Sequence, residues 1–204
     1  MLKLYAAAGT CSLATAIALE EAGADYELVM LDFAAGQQRG AEFLALNPKG
    51  RVPALLTDQG LITENVALLA FIAKNFPAKS LAPTNLVQFA QMQAFNAYLS
   101  STVHVNHAHN RRGYRWADDP AVIEAMRIKV PQNMNESYAL LEAGMFKSPW
   151  VMGEQFTVAD GYLYTIDTWL KNDGVELSDY PKLMDHFHRM NQRPAVMRAL
   201  ERHG

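Results

Sequence analysis

Short apolar runs separated by turn residues make up the first 76 residues of this 204-residue chain. The runs have the length of buried strands, and the longer apolar-periodic stretches between them have the length of helices. Gly23 follows one such stretch, in the position of a residue that ends a helix. The predicted elements, in order, are a strand at 2–5, a helix at 11–22, a strand at 26–31, a short helix at 41–46, strands near 54–56 and 61–62, and a helix at 64–75.

One segment, Asn47–Asn65, brings together a turn, a proline, a hairpin and a helix start. Pro53 has no N–H for a strand ladder, so it belongs at the first position of the strand that follows it. Asp58–Gly60 fits a tight hairpin turn, and Thr63–Asn65 fits the first residues of a helix. A strand edge and free helix N–H groups would therefore face one place. Such a place suits a ligand with a peptide-like backbone and a carboxylate.

The remainder of the chain has helical periodicity throughout. Prolines between Phe76 and Pro83 mark a linker, so we expect one domain at 1–77, a linker at 78–86 and a second domain at 87–204. The pattern of Thr157–Asp160 predicts a capped helix start, and Pro181 and Pro194 predict the starts of two final helices. The order of elements predicts an α/β thioredoxin-like domain (βαβαββα) followed by an all-α domain.

Composition narrows the classes of function. Half of the residues are hydrophobic and the net charge is −3, which argues against nucleic acid as a main partner. A single cysteine permits no internal disulfide and favours a reducing compartment. The apolar stretch Leu13–Leu19 ends at Glu20 and fits neither a signal peptide nor a membrane span. We therefore expect a soluble, cytoplasmic protein.

Cys11 is the first candidate for chemistry. A cysteine reacts as its thiolate, and a helix N-terminus lowers a thiol pKa because it favours negative charge. Ser12 is the next residue. The alternative interpretation is that Cys11 is a small buried apolar residue.

A second group of candidates begins at His104 and His107, which share a helix face by their spacing of three. A metal site needs a third ligand, and no nearby carboxylate or cysteine supplies one, so no metal is expected. The histidines could instead belong to an exposed helix leading into a polar loop. The arginine-rich segment after them, Arg111–Trp116, is expected to be a solvated loop or the wall of a pocket for an acidic substrate that stacks on aromatic rings.

The pairs Val52-Pro53 and Glu64-Asn65 resemble the glutathione site of the glutathione transferase family. The resemblance implies a cis-proline that lets the Val52 backbone pair with the cysteinyl part of glutathione. It also implies that Glu64 and Asn65 hold the γ-glutamyl end, although the family usually has Ser or Thr where Asn65 stands.

The start of the chain resembles the bacterial beta class of that family, through Tyr5, Gly9 and Cys11-Ser12. This resemblance places Cys11 at the glutathione sulfur, with Ser12 as a neighbouring hydroxyl donor. It places His104 opposite them, where an imidazole would favour a thiolate. It places His107 and Tyr114 in the pocket for the second substrate.

The sequence departs from the beta class in two places. The class has a tyrosine at the position of Ala6, and Tyr5 is one residue earlier, on the opposite face of a strand, where it is expected in the core. The lysine that contacts glutathione in the class is absent from 34–36, where Gln37, Gln38 or Arg39 could replace it.

These features predict a homodimeric, detoxifying glutathione transferase, with glutathione as co-substrate and a small hydrophobic or aromatic electrophile as its partner. Three alternatives stay open at this point: thiol–disulfide exchange through Cys11, another glutathione-dependent reaction such as isomerisation or dehalogenation, and a non-catalytic binding or stress-response protein.

Overall fold

A four-stranded mixed sheet forms the centre of the first domain in the computed structural model, which describes all 204 residues. The strands are β1 (Leu2–Ala6), β2 (Tyr26–Met30), β3 (Ala54–Thr57) and β4 (Gly60–Thr63), in the spatial order β2-β1-β3-β4. β1 and β2 are parallel, whereas β3 pairs antiparallel with both β1 and β4. The antiparallel hairpin confirms the turn predicted before Gly60.

Three helices complete this domain: α1 (Ser12–Ala22), α2 (Ala41–Leu46) and α3 (Asn65–Asn75). The order βαβαββα confirms the predicted thioredoxin-like fold. Gly23 ends α1 with φ 61°, a left-handed conformation that glycine adopts without steric cost, as its sequence position predicted. The predicted loop before α2 contains one additional short element, a 3₁₀ turn at Gln37–Arg39.

The rest of the chain is helical, as predicted. Its α-helices are α4 (Leu86–Tyr98), α5 (His104–Arg112), α6 (Pro120–Leu140), α7 (Val158–Asp167), α8 (Pro181–Asn191) and α9 (Pro194–His203). Both of the prolines predicted to start helices do so, in α8 and α9. The predicted capping box also forms, since the Thr157 backbone N–H donates to Asp160 Oδ2 at 2.7 Å. No helix of the chain combines the length and the apolar character that crossing a bilayer requires.

The two halves meet along α1. From Ser12 to Leu19 its residues are small or apolar on every side, so this part of the helix is buried all round instead of on one face. It packs against α3 in its own half and against α7 and α9 in the other. One continuous hydrophobic core therefore runs through both halves.

The connection between the halves packs against this core. α3 ends at Asn75, a 3₁₀ turn occupies Pro77–Lys79, and α4 begins at Leu86. Leu81 is buried and its carbonyl accepts from the Val158 backbone N–H at 2.9 Å. The domain limits at 77 and 87 remain a prediction.

Candidate active site

A cleft of about 830 Å³ lies where the sheet domain faces α5 and α7. Its walls come from both halves of the chain, so it exists only when the halves are packed together. Eight of the nine predicted site residues line it: Cys11, Val52, Pro53, Glu64, Asn65, His104, His107 and Tyr114. The ninth, Ser12, does not.

The backbone before β3 forms one wall of the cleft. The Val52–Pro53 peptide bond is cis, as the resemblance implied. The Val52 carbonyl accepts from Cys11 Sγ at 3.6 Å, and the Val52 N–H donates to no group of the chain. A free N–H beside an exposed carbonyl can pair with an extended peptide, as the edge of a sheet does.

The N-terminus of α3 forms a second wall. Glu64 precedes the helix with φ 71°, a conformation that costs a non-glycine residue about 1–3 kcal/mol and is concentrated at functional sites. The backbone N–H groups of Asn65, Val66 and Ala67 have no acceptor within the chain. Free N–H groups and the helix dipole together attract an anion. The Glu64 carboxylate turns to the rim and pairs with Lys49 Nζ.

The side chain of Asn65 is not free to reach a ligand. It is buried, its Nδ2 donates to the Cys11 carbonyl at 2.8 Å, and its Oδ1 accepts from Thr15 Oγ1 at 2.7 Å. Asn65 therefore ties the start of α3 to the start of α1. The backbone N–H of Asn65 has no acceptor within the chain and is available for the predicted contact with glutathione.

Cys11 lies at the start of α1, as predicted, but its pKa moves in the direction opposite to the prediction. Cys11 is only partly buried in the wall of the cleft, yet loss of hydration there raises the pKa of the thiol to about 11, against the opposing effect of the positive charge on Arg112. The helix N-terminus does not overcome the loss of hydration. At neutral pH the group is a thiol, able to donate a hydrogen bond.

The hydroxyl of Ser12 points away from the cleft and is fully buried. It lies 2.8 Å from His203 Nε2 in α9 and 2.7 Å from Thr10 Oγ1, and the Ala7 N–H donates to it. Burial lowers the pKa of His203 to about 4, so the imidazole is neutral at pH 7. The structure does not bring Ser12 to the reacting centre, where we predicted a hydroxyl donor. Ser12 fixes the loop before α1 to the last helix.

His104 projects from the start of α5 into the cleft. Burial and the neighbouring charge of Arg112 lower the pKa of this imidazole to about 3. A guanidinium nitrogen of Arg112 donates toward Nε2 at 3.4 Å, which leaves the ring proton on Nδ1. The ring is therefore neutral at pH 7, so it can favour a thiolate by hydrogen bonding and not by charge.

His107 is held by a residue far away in sequence. Its Nδ1 lies 2.7 Å from Oδ2 of the buried Asp173, whose Oδ1 accepts from Asn110 Nδ2 at 2.9 Å. The ring stacks on Trp169 with centroids 4.4 Å apart. These contacts fix the orientation of His107 as a wall of the cleft. The chain has no group of three or more His, Cys, Asp or Glu side chains that could hold a metal ion.

Arg112, predicted only as part of the segment Arg111–Trp116, lines the cleft, and so do Tyr162 and Trp169, which were not predicted there. Arg112 of α5 places its charge near Cys11, and Tyr162 and Trp169 come from α7 and the turn that follows it. Burial raises the pKa of Tyr162, so it remains a phenol that can donate. Arg112 could have been found by its position one helical turn after Ala108, on the His104 face. No local signal marks the other two.

The residues that depart from the beta-class pattern also have definite places. Tyr5 packs on Phe43 with ring centroids 5.6 Å apart, against a small core cluster, and does not line the cleft. Gln37 is engaged, since its Oε1 accepts from the Asp32 N–H at 2.8 Å. Gln38 and Arg39 line the cleft, and Gln38 Oε1 is buried without a partner. Of the three predicted replacements for the absent lysine, these two face the ligand space.

Comparison with known proteins agrees with this geometry over the whole chain. The family described as glutathione S-transferase, N-terminal domain, matches residues 1–74, and that described as glutathione S-transferase, C-terminal domain, matches residues 118–194. Among curated proteins, glutathione S-transferase GstA of Escherichia coli O157:H7 is 31% identical, over 100% of this chain and 99% of that protein.

Two solved structures extend the likeness to three dimensions. A glutathione transferase homologue from Sulfitobacter, crystallised with bound glutathione, is 42% identical with a TM-score of 0.96, covering 98% of this chain and 97% of that one. A bacterial beta class glutathione S-transferase from Sphingomonas chungbukensis is 32% identical with a TM-score of 0.85, covering 99% and 98% of the two chains.

Proposed function

Because this chain belongs to the glutathione S-transferase family, we propose that its cleft binds glutathione and presents the thiolate of the tripeptide to an electrophilic small molecule. Glutathione transfer is the function that the family and the glutathione-bound relative support. The observation that carries the proposal is the pairing of a free backbone edge at Val52 with an uncapped α3 N-terminus beside Cys11.

Glutathione can lie along the Val52 backbone and the α3 N-terminus in one orientation. Its cysteinyl unit pairs with the Val52 backbone, and its γ-glutamyl carboxylate accepts from the free N–H groups at the start of α3. The Glu64 carboxylate is then placed for the γ-glutamyl ammonium, which would share it with Lys49. Gln38 and Arg39 are available for the glycine carboxylate at the other end.

Cys11 supports the reaction as a neutral donor. The thiol, 3.6 Å from the Val52 carbonyl, can turn its proton toward a glutathione thiolate that lies along the same edge. A hydrogen bond to the charged form lowers the pKa of the bound glutathione. Arg112 adds a positive charge nearby, whereas His104 contributes a neutral ring.

Thiol–disulfide exchange through Cys11 is the less favoured alternative. Exchange needs the Cys11 thiolate as a nucleophile, and a pKa of about 11 leaves almost none of it at pH 7. In conjugation the sulfur that reacts belongs to glutathione, so a protonated Cys11 is no obstacle.

We also propose that the protein is a cytoplasmic homodimer with a small hydrophobic or aromatic electrophile as second substrate. Two apolar side chains at the start of α4, Leu86 and Val87, are 79% and 65% exposed in the single chain. They supply apolar surface that a second copy would cover.

Calorimetric titration with glutathione tests the function. Wild type is expected to bind, and Glu64→Ala to bind more weakly because it loses the partner of the ammonium group. Glu124→Ala is the matched control, since Glu124 is also an exposed glutamate in an ion pair, with Arg127, but lies outside the cleft. Absence of binding at millimolar glutathione would refute the transferase function.

A further inference from the structure

The cleft is basic although the chain is acidic. It is lined by five cationic side chains and one carboxylate: Arg39, Lys49, Arg51, Arg112, Arg115 and Glu64. The single carboxylate is already paired with Lys49. Four guanidinium groups therefore face the ligand space of a protein whose net charge is −3.

Arg112 and Arg115 have no carboxylate partner, as is also true of Arg39, Arg51, Arg111 and Arg189. Of these six arginines, Arg112 and Arg115 are the two that reach the cleft from the helical half of the chain. Burial and the neighbouring Arg115 charge lower the pKa of Arg112, and Arg51 acts in the same direction. The hydrogen-bond partner of Arg112 is the neutral His104 ring. Arg112 is partly buried and Arg115 is exposed, and like charges near each other are unfavourable until an anion joins them.

Aromatic rings surround the same place. Tyr114 lies between the two arginines in sequence and is 52% exposed, and Trp116 follows and is 49% exposed. Both line the cleft, and Trp116 is steadied edge-on by His109, with centroids 4.5 Å apart. Large exposed rings beside guanidinium groups suit a planar ring that carries a negative charge.

Resting on the function proposed above, we infer that the second substrate is an anionic aromatic electrophile, with its carboxylate or sulfonate held by Arg112 and Arg115. The glutathione carboxylates are matched elsewhere, by the α3 N-terminus and by Arg39. The two arginines of the helical domain are then left for a charge that glutathione does not bring. A guanidinium fork binds a carboxylate through two parallel hydrogen bonds, which fixes the orientation of the ring.

Two aryl chlorides that differ only in charge test this assignment: 4-chloro-3,5-dinitrobenzoate and 4-chloro-3,5-dinitrobenzamide. In both, the glutathione thiolate attacks the carbon bearing chlorine, the C–S bond forms, and chloride leaves with the electron pair of the C–Cl bond. The thiol proton goes to solvent. Each kcat/KM is divided by the uncatalysed rate with glutathione, so that the ratio of benzoate to benzamide reports only recognition by the protein.

Wild type is expected to favour the benzoate, and Arg115→Ala to lower the ratio about tenfold or more, as loss of a charged hydrogen bond does. Arg115→Lys should restore part of the ratio because it keeps the charge. Arg111→Ala is the control, since Arg111 is exposed and outside the cleft, and it should leave the ratio unchanged.

The outcomes separate the two proposals. A wild-type ratio near one, or a ratio that Arg115→Ala does not change, overturns the anionic substrate while conjugation of the benzamide upholds the transferase. A rise in the KM for glutathione in Arg115→Ala with an unchanged ratio would assign Arg115 to glutathione instead. Failure to conjugate either chloride, together with no binding of glutathione, overturns the function itself.

Discussion

The protonation state of Cys11 gives the sharpest test of how this site works. Burial raises the pKa of the thiol from 9.0 to about 11. Two pKa units reduce the thiolate fraction at pH 7 about a hundredfold, from roughly one part in a hundred to one in ten thousand. Because the thiolate is the nucleophile, alkylation of Cys11 should be about a hundredfold slower than that of an ordinary thiol.

Iodoacetamide alkylation followed by intact mass measures this rate. Cys11 is the only cysteine, so each carbamidomethyl group that is added to a thiol reports on it. We expect the rate to rise about tenfold per pH unit from pH 6.5 to 9.5 without levelling. The slope separates a high pKa from simple inaccessibility, since restricted access lowers the rate equally at every pH.

The variant Arg112→Ala tests how a neighbouring charge affects the pKa of Cys11. The Arg112 charge lowers the pKa of Cys11, so its removal should raise that pKa further and slow alkylation. Arg111→Ala, with an exposed arginine outside the cleft, should have no effect. A rate that levels off below pH 8 in the wild type would refute the reasoning. It would mean that the helix N-terminus outweighs burial, and it would favour thiol–disulfide exchange.

Two further predictions concern stability. Asn65→Ala leaves Thr15 and the Cys11 carbonyl without their partners, so urea unfolding should show a loss of about 2–5 kcal/mol, whereas Asn75→Ala at the exposed end of α3 should lose little. An equal loss in both variants would contradict the role given to Asn65. Burial raises the pKa of Asp167 to about 7, so the folded state holds a proton that the unfolded state releases above pH 4. Wild type should therefore lose stability relative to Asp167→Asn as pH rises from 4 to 7, by up to about 1.4 kcal/mol per pH unit. A gain in stability over the same range would show instead that Asp167 is stabilised as a carboxylate.

The order of elements could be predicted because the signals for it are local. Gly23, Pro53, Pro181 and Pro194 act on the backbone within one or two residues, and the periodicity of each helix is contained in its own segment. The walls of the cleft were predicted on the same basis. The segment Asn47–Asn65 was identified because a turn, a hairpin and a helix start follow each other within 19 residues, and the roles of Val52 and Glu64 within it came from the resemblance to glutathione transferases.

The chemistry of the site could not be read in this way, because it depends on partners far apart in sequence. Ser12 was assigned to the cleft, but its partner His203 is 191 residues away. The partner of His107, Asp173, is 66 residues away. For Cys11 the sequence shows the helix N-terminus but not the depth of burial, and burial decides the pKa.

The hydrogen bond between Ser12 and His203 has a consequence for how the protein unfolds. It joins the first helix to the last, and the ion pairs of Glu21 with Arg193 and of Glu20 with Arg198 run beside it. We therefore expect the two domains to unfold together, in a single transition instead of two. A protease cut between α3 and α4 should not release halves that keep their shape. Loss of the contact with α9 would expose α1 to solvent and open the cleft on the side that α1 forms.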